Sequence, residues 1–263
     1  VDDNAKAAAD YNINLKLPNN FRVATDLNEK LIDKDQSHTY YNLTGTNWNN
    51  FSLFVGENFN FETFKTNSVE VITNLYEKNV TDEQKALAIS KIVDYVNRQI
   101  GEFPHDKILI SQKDYERNPL YGLNQLPSFI RPFTNEFTFE IKFLKIYLEE
   151  YLKKSLKLDP RKDHWIYDAI QVYTMMEYID TYNPGMKMFG NTNKYFFLKS
   201  YRLSSIEFNE QYNLYYLIMA RKNLDQSLIT SKDSLIKINE KIAIKYRAGL
   251  SLKYLDSYLE NNM

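Results

Sequence analysis

Cysteine is absent from the 263 residues, which removes disulfides, thiolate metal sites and a cysteine nucleophile together. Glycine and proline are scarce, at seven each, against 21 tyrosines and 16 phenylalanines. So few turn formers and so many aromatic rings describe regular structure around a large core, unlike a disordered or low-complexity chain. Histidine is scarcer still: His38, His105 and His164 stand in unlike contexts, with no pair one helical turn apart. A histidine-rich metal site would need all three to converge from distant segments. Neither sign of charge dominates, the formal net charge being −1, and the basic residues are scattered, so the footprint of a nucleic-acid partner is missing. No run reaches the about 20 apolar residues of a membrane span, and the first ten residues are polar, without the apolar core of a signal peptide. The chain begins with Val1 rather than Met, and it is expected to be part of a longer polypeptide.

What is present changes character along the chain. Tyr11–Leu17 alternates apolar and polar residues ahead of Pro18, the pattern of a half-buried strand. Further extended segments are expected over Phe21–Leu27, Tyr40–Leu43, Phe51–Val55 and Val69–Ile72. Thr81-Asp-Glu-Gln84 has the form of a capping box, and Ile89, Ile92, Val93, Val96 and Ile100 then recur at helical spacing until Gly101 and Pro104. Ile108–Ile110 reads as a short strand and Asn118–Pro132 as a surface loop. From Asn135 onward the pattern is helical, over about 135–157, 161–182, 206–224 and 232–261, with the last helix expected to break near Gly249. The fold class is therefore α+β, a short β-rich part over residues 1–66 followed by a mostly α-helical domain over 67–263.

Two helices carry the chemistry. In His164–Tyr173, the residues Trp165, Ala169, Val172, Tyr173 and Met176 form a stripe at three- and four-residue intervals, and Asp168 lies one turn from both Trp165 and Val172. The preceding helix sets Phe139 and Phe143 one turn apart, with Glu140 between Phe137 and Leu144. A carboxylate on such a face is partly buried and must find a partner. Glu140 is accordingly expected to hydrogen-bond a Tyr, Lys or Arg, and Asp168 to make a bond or ion pair between helices. The basic pairs Lys153-Lys154 and Arg161-Lys162 are explained by a solvated face, and Tyr212 and its neighbours by core packing.

Trp165-Ile-Tyr-Asp168-Ala-Ile-Gln-Val-Tyr173 resembles the Trp-Leu-x-Glu-Gly-x-Ala-x-Tyr segment of the gluzincin aminopeptidases, the group of aminopeptidase N and leukotriene hydrolase. The resemblance extends to large flavobacterial proteins of that group. It implies a thermolysin-like helical domain in which Asp168 stands at the third zinc-ligand position. The His-Glu-x-x-His helix of the family then matches Phe139-Glu140-Ile-Lys-Phe143, which makes Glu140 the vestigial general base. Gly101-Glu-Phe-Pro-His105 is similar to the family's Phe-Gly-x-Tyr-Pro turn. Gly122-Leu-Asn-Gln-Leu-Pro127 takes the place of the substrate-anchoring motif, with Gly122, Asn124 and Gln125 as its candidate binding residues. Tyr212 falls where the oxyanion-stabilising Tyr is expected. The same resemblance favours an extracytoplasmic location.

The departures from the family decide the expected function. A zinc site of this kind needs two imidazoles one turn apart and a carboxylate from the next helix. Phe139 and Phe143 have no lone pair to give, and one carboxylate does not hold zinc at trace concentration. Asp168 also follows Phe143 by 25 residues, a longer spacing than the family's, with room for the excess between Lys153 and Lys162. Asn124 or Gln125 replaces the anchoring Glu and cannot pair with a substrate amine as a charged group does. The expectation is a non-catalytic, zinc-free, peptidase-like module that binds peptide or protein or serves as structure, in a cleft walled by Tyr and Phe. The alternatives are an active zinc metallopeptidase with atypical ligands, and a helical scaffold whose resemblance is accidental.

Overall fold

The computed structural model describes residues 8–58, 60–121, 123, 133–189 and 205–260. The chain divides into two compact units, one built from residues up to Arg117 together with Ile146–Lys157, the other from Asn118–Lys145 and from Leu158 onward.

The first unit begins with strand β1, Ala9–Pro18, which shows the expected alternation of half-buried and exposed residues. It pairs antiparallel with β4, His38–Trp48, and β4 pairs in turn with β3, Asn28–Lys34. A second antiparallel pair joins β2, Arg22–Thr25, to β5, Leu53–Gly56. Strand β3 is exposed along its whole length, so it has no buried face to impose a period-two pattern, which explains why its sequence does not announce a strand. Leu27, Leu43 and Trp48 form the core here, flanked by Tyr11, Ile13 and Leu15 from β1. Gly45 is required at the centre, because a Cβ there would lie 2.5 Å from Leu27 Cδ2 and 2.8 Å from the Trp48 ring.

A third sheet has the order β6 (Glu62–Lys65), β7 (Glu70–Thr73) and β8 (Lys107–Ile110), with β7 and β8 parallel. Parallel neighbours need a crossover, and helix α1, Asp82–Gln99, supplies it. Its capping box is formed as the sequence indicates: Gln84 N donates to Thr81 Oγ1 at 3.3 Å, and Thr81 N donates to Gln84 Oε1 at 2.8 Å. The buried face carries Ile89, Ile92, Val93 and Val96. After Ile100, Gly101 turns the chain at φ +132°, and its carbonyl accepts a bond from the Tyr151 hydroxyl at 2.9 Å. A short helix α2, Gln112–Arg117, follows.

Helix α3, Asn135–Ser155, gives its second half to this unit. There the solvated face expected for Lys153-Lys154 fails at Lys154, which is fully buried. Its ammonium lies 2.5 Å from Asp26 Oδ2 and 3.0 Å from Glu150 Oε2, and donates to Ser52 Oγ at 2.9 Å. Burial opposes the charge on Lys154, but Glu150 and Asp26 outweigh it and raise its pKa. Burial alone would raise the Glu150 carboxyl, yet Lys154 and Lys153 hold it below the ordinary glutamate value. A lone basic doublet in sequence cannot reveal this, because the partners of Lys154 include a residue far back in the chain.

The second unit is helical: the first half of α3, then α4 (His164–Tyr182), α5 (Glu210–Arg221) and α6 (Ile244–Glu260). A 3₁₀ turn, Lys232–Ser234, and a π-helical stretch, Asn239–Ala243, precede α6. The expected break at Gly249 does not occur; α6 runs straight through it. Gly249 is there for packing, because a Cβ would stand 2.4 Å from Val172 Cγ1 and 3.3 Å from the Tyr173 backbone nitrogen. Leu120 and Leu123 of the expected surface loop are buried, and residues 124–132 of that loop lie outside the described residues.

Replacing Lys154 by Met leaves the buried Asp26 and Glu150 without its ammonium and is expected to lower stability by about 3–5 kcal/mol in urea unfolding. A loss below about 1 kcal/mol would show that the three charges do not act together. Because the Glu150 pKa is depressed in the folded chain, its stabilisation is complete above the ordinary value of 4.5 and is lost as pH falls below it. Acid titration of the wild type, compared with Glu150→Gln, checks that sign.

Candidate functional site

Helices α3 and α4 carry the residues that the resemblance singles out, and two side-chain bonds tie them together. Tyr178, fully buried on α4, donates its hydroxyl proton to Glu140 Oε1 on α3 at 2.5 Å. One helical turn after Asp168, Gln171 Nε2 donates to the Lys145 carbonyl at 2.8 Å. Glu140 is half-buried, between the buried Phe137 and Leu144, so its partner is the kind that a carboxylate in that setting requires.

Phe139 and Phe143 are both fully buried, with rings nearly parallel at 17° and centroids 6.3 Å apart. They offer only carbon edges and faces to their surroundings. Asp168 is 9% exposed, and its Oδ1 lies 3.0 Å from the ammonium of Lys245, the second residue of α6. The same ammonium approaches Gln171 Oε1 at 3.4 Å. Further polar contacts hold α4 and α6 along their lengths: Tyr173 donates to Asp256 at 2.8 Å, and Lys253 pairs with Glu177 at 3.1 Å and Asp180 at 2.6 Å. On the stripe predicted for α4, Ala169, Val172 and Met176 are buried, while Trp165 and Tyr173 are half-buried.

Tyr212 on α5 is fully buried in a cluster with Val172, Met176, Ile242 and Tyr246. Its ring meets Tyr246 edge-on at 4.8 Å, and its hydroxyl has no hydrogen-bond partner among the described residues. Burial raises the pKa of the phenol far above the ordinary value of 10.0, so the hydroxyl stays protonated as a donor. Beside it is a cavity of about 20 Å³ whose lining includes Lys145, Gln171, Tyr212, Lys241, Lys245 and Tyr246. Lys145, Lys241 and Lys245 give no sequence signal, because each comes from a different element and no spacing in the sequence joins them. Gly122, Asn124 and Gln125 lie outside the described residues.

The three histidines stand in unlike surroundings. His105 stacks on Trp48 with centroids 3.6 Å apart, His38 is half-buried at the start of β4, 3.9 Å from Asp35, and His164 is buried at the start of α4. Among the described residues no three His, Asp or Glu side chains converge as a metal cluster.

No protein-family model matches the sequence, and comparison with curated proteins gives no match either. By fold, the chain is similar to a mutant M1 zinc metallopeptidase from Deinococcus radiodurans, at 11% identity and a TM-score of 0.51 over 94% of this chain and 52% of that one. A mutant of the enzyme bound to a Tyr-Ser-Ala substrate is matched at 10% identity, with a TM-score of 0.47 over 81% of this chain and 45% of that one. The chain therefore spans about half the length of the structures it matches. Its mixed architecture, N-terminal strands followed by a helical domain, is the fold of the M1 zinc metallopeptidases.

The approach of α6 to α4 sets where Lys245 meets Asp168, and Gly249→Ala is expected to push the helices apart, at about 1–3 kcal/mol in thermal or urea unfolding. Val172→Ala opens the space that the new methyl needs, so the double variant should lose less than the two single losses added together. Simple additivity would show that Gly249 and Val172 do not share that contact.

Proposed function

We propose that this chain is a zinc-free, non-catalytic relative of the gluzincin peptidases, a divergent member without the His-Glu-x-x-His motif. It serves as a peptide- or protein-binding or structural module of a larger protein. The observation that carries the reading is the ion pair between Asp168 and Lys245. At the position where the resemblance expects a carboxylate to hold zinc, the carboxylate holds an ammonium.

The donor set does not fit zinc. A dication placed against Asp168 would face the Lys245 ammonium at the same oxygen, and like charges a few ångströms apart in a poorly solvated setting repel strongly. Phe139 and Phe143 supply no lone pair, which leaves one carboxylate where four-coordinate zinc needs three protein ligands and water. Glu140 is occupied as a hydrogen-bond acceptor from Tyr178. A general base needs a nucleophile within reach whose proton it takes, and no step is assigned to it here. The family's tyrosine role is not carried to Tyr212 either, since without a polarised carbonyl there is no oxyanion to stabilise.

Purification in zinc-containing buffer followed by metal analysis tests the reading. Well under one zinc per chain is expected, together with no hydrolysis of aminoacyl or peptide substrates with or without chelator. One tightly held zinc per chain, or hydrolysis abolished by chelator, would establish an active metallopeptidase with atypical ligands instead.

A further inference from the structure

Strand β3 forms one edge of the sheet β1-β4-β3, and among the described residues β4 is its only strand partner. Its outer row of backbone N–H and C=O groups is an edge at which another strand can add. The strand reads Asn28-Glu29-Lys30-Leu31-Ile32-Asp33-Lys34 and is exposed throughout, with Leu31 at 57% and Ile32 at 58% in its middle. Glu29, Leu31 and Lys34 stand opposite Leu43, Tyr41 and Thr39 on one face of the sheet, and Lys30 and Asp33 stand opposite Asn42 and Tyr40 on the other. The register shifts by one residue between Leu31 and Asp33, which leaves Ile32 as the extra residue of a bulge. Lysines and a bulge guard an edge against indiscriminate pairing, so a strand that joins this one must match its charges.

From this pattern we propose that β3 pairs antiparallel with β3 of a second copy of the chain, across a two-fold axis at Leu31, so that two three-stranded sheets become one continuous sheet. With the two-against-one count of the bulge carried to the free edge, Leu31 faces the partner's Leu31, Lys30 faces the partner's Asp33, and Glu29 faces the partner's Lys34. Each charged pair lies on a single face of the sheet, as the strand period requires, and each sets opposite charges side by side. A slip of two residues in one direction would bring Lys30 onto the partner's Lys30, and in the other Asp33 onto the partner's Asp33. A parallel pairing in register would set every charge against its like. Only the register centred on Leu31 satisfies both copies at once, as a two-fold contact must. Lys107 already favours the charged form of Glu29, so Lys30 and Asp33 carry most of the selection. Pairing also covers Leu31 and Ile32, the apolar centre of the strand. It goes beyond the functional reading above and does not rest on zinc or its absence.

Sedimentation velocity of the purified chain over a concentration series tests the pairing. The contact, Glu29–Lys34 on each copy, is small, so a weak, concentration-dependent dimer is expected, and added salt should weaken it further. Lys30→Asp and Asp33→Lys each set like charges across the axis twice, and each is expected to weaken association by about tenfold or more. Mixed in equal amounts, the two variants should associate with each other as the wild type does with itself, because every pair across the edge is then opposite in sign. Two variants that merely misfold would show no such rescue. The chain has no cysteine, so Leu31→Cys places a single thiol on the axis, and mild oxidation should link it to its copy as a disulfide dimer. Leu87→Cys, an exposed position on α1, should cross-link far more slowly. A monomer at every concentration, a dimer that neither charge variant weakens, a mixture that fails to associate, or equal cross-linking at the two cysteine positions overturns the pairing.

Discussion

Lys245 reaches Asp168 because α6 lies against α4 with nothing but backbone at Gly249, where even a methyl group would collide with Val172. That close approach sets the helical unit in one arrangement. Polar contacts at both ends of the crossing, Asp168 with Lys245 and Glu177 and Asp180 with Lys253, fix the register of the two helices. Hydrophobic packing gives the contact its strength but is not directional. Charge pairing at fixed intervals is directional, and a slide of one helical turn would break every pair.

The two units use lysine in the same physical way. In one, Lys154 is buried completely and compensated by Asp26 and Glu150; in the other, Lys245 is largely buried against Asp168. A buried ammonium is favourable only when its counter-charge is equally fixed. Both pairs therefore specify an arrangement more than they add stability, which suits a chain whose aromatic core is abundant and whose rings could pack in several ways.

Legibility from sequence followed the reach of the interaction. The capping box at Thr81 and Gln84 is local, three residues apart, and was readable with its bonds. The alternation of β1 and the stripe on α4 were readable because each element has one buried face. Strand β3 has no buried face, so nothing in its sequence marked it. Gly249 was misread because a glycine in a helical pattern signals a break or a close contact equally well, and only the neighbour Val172 distinguishes them. The doublet at Lys153-Lys154 looked solvated for the same reason: Asp26, which buries Lys154, comes from a strand connection more than a hundred residues earlier. At the candidate site, sequence showed that Asp168 and Glu140 needed partners but could not name Lys245 or Tyr178.

On the proposed reading, the helical unit keeps the charge balance of its fold while changing the chemistry that the balance allows. A dication has open coordination positions and polarises whatever enters them. An ammonium has three protons, no vacant orbital and no means of generating hydroxide at neutral pH. Exchanging one for the other keeps a cation against the carboxylate on α4, so the helices can pack unchanged, but it removes the electrophile. The two phenylalanines complete that exchange, because imidazoles without a metal would be buried donors and acceptors in need of partners, whereas benzene rings pack without them. On that reading the retained carboxylates have structural partners, Glu140 in Tyr178 and Asp168 in Lys245, in place of a metal and its water.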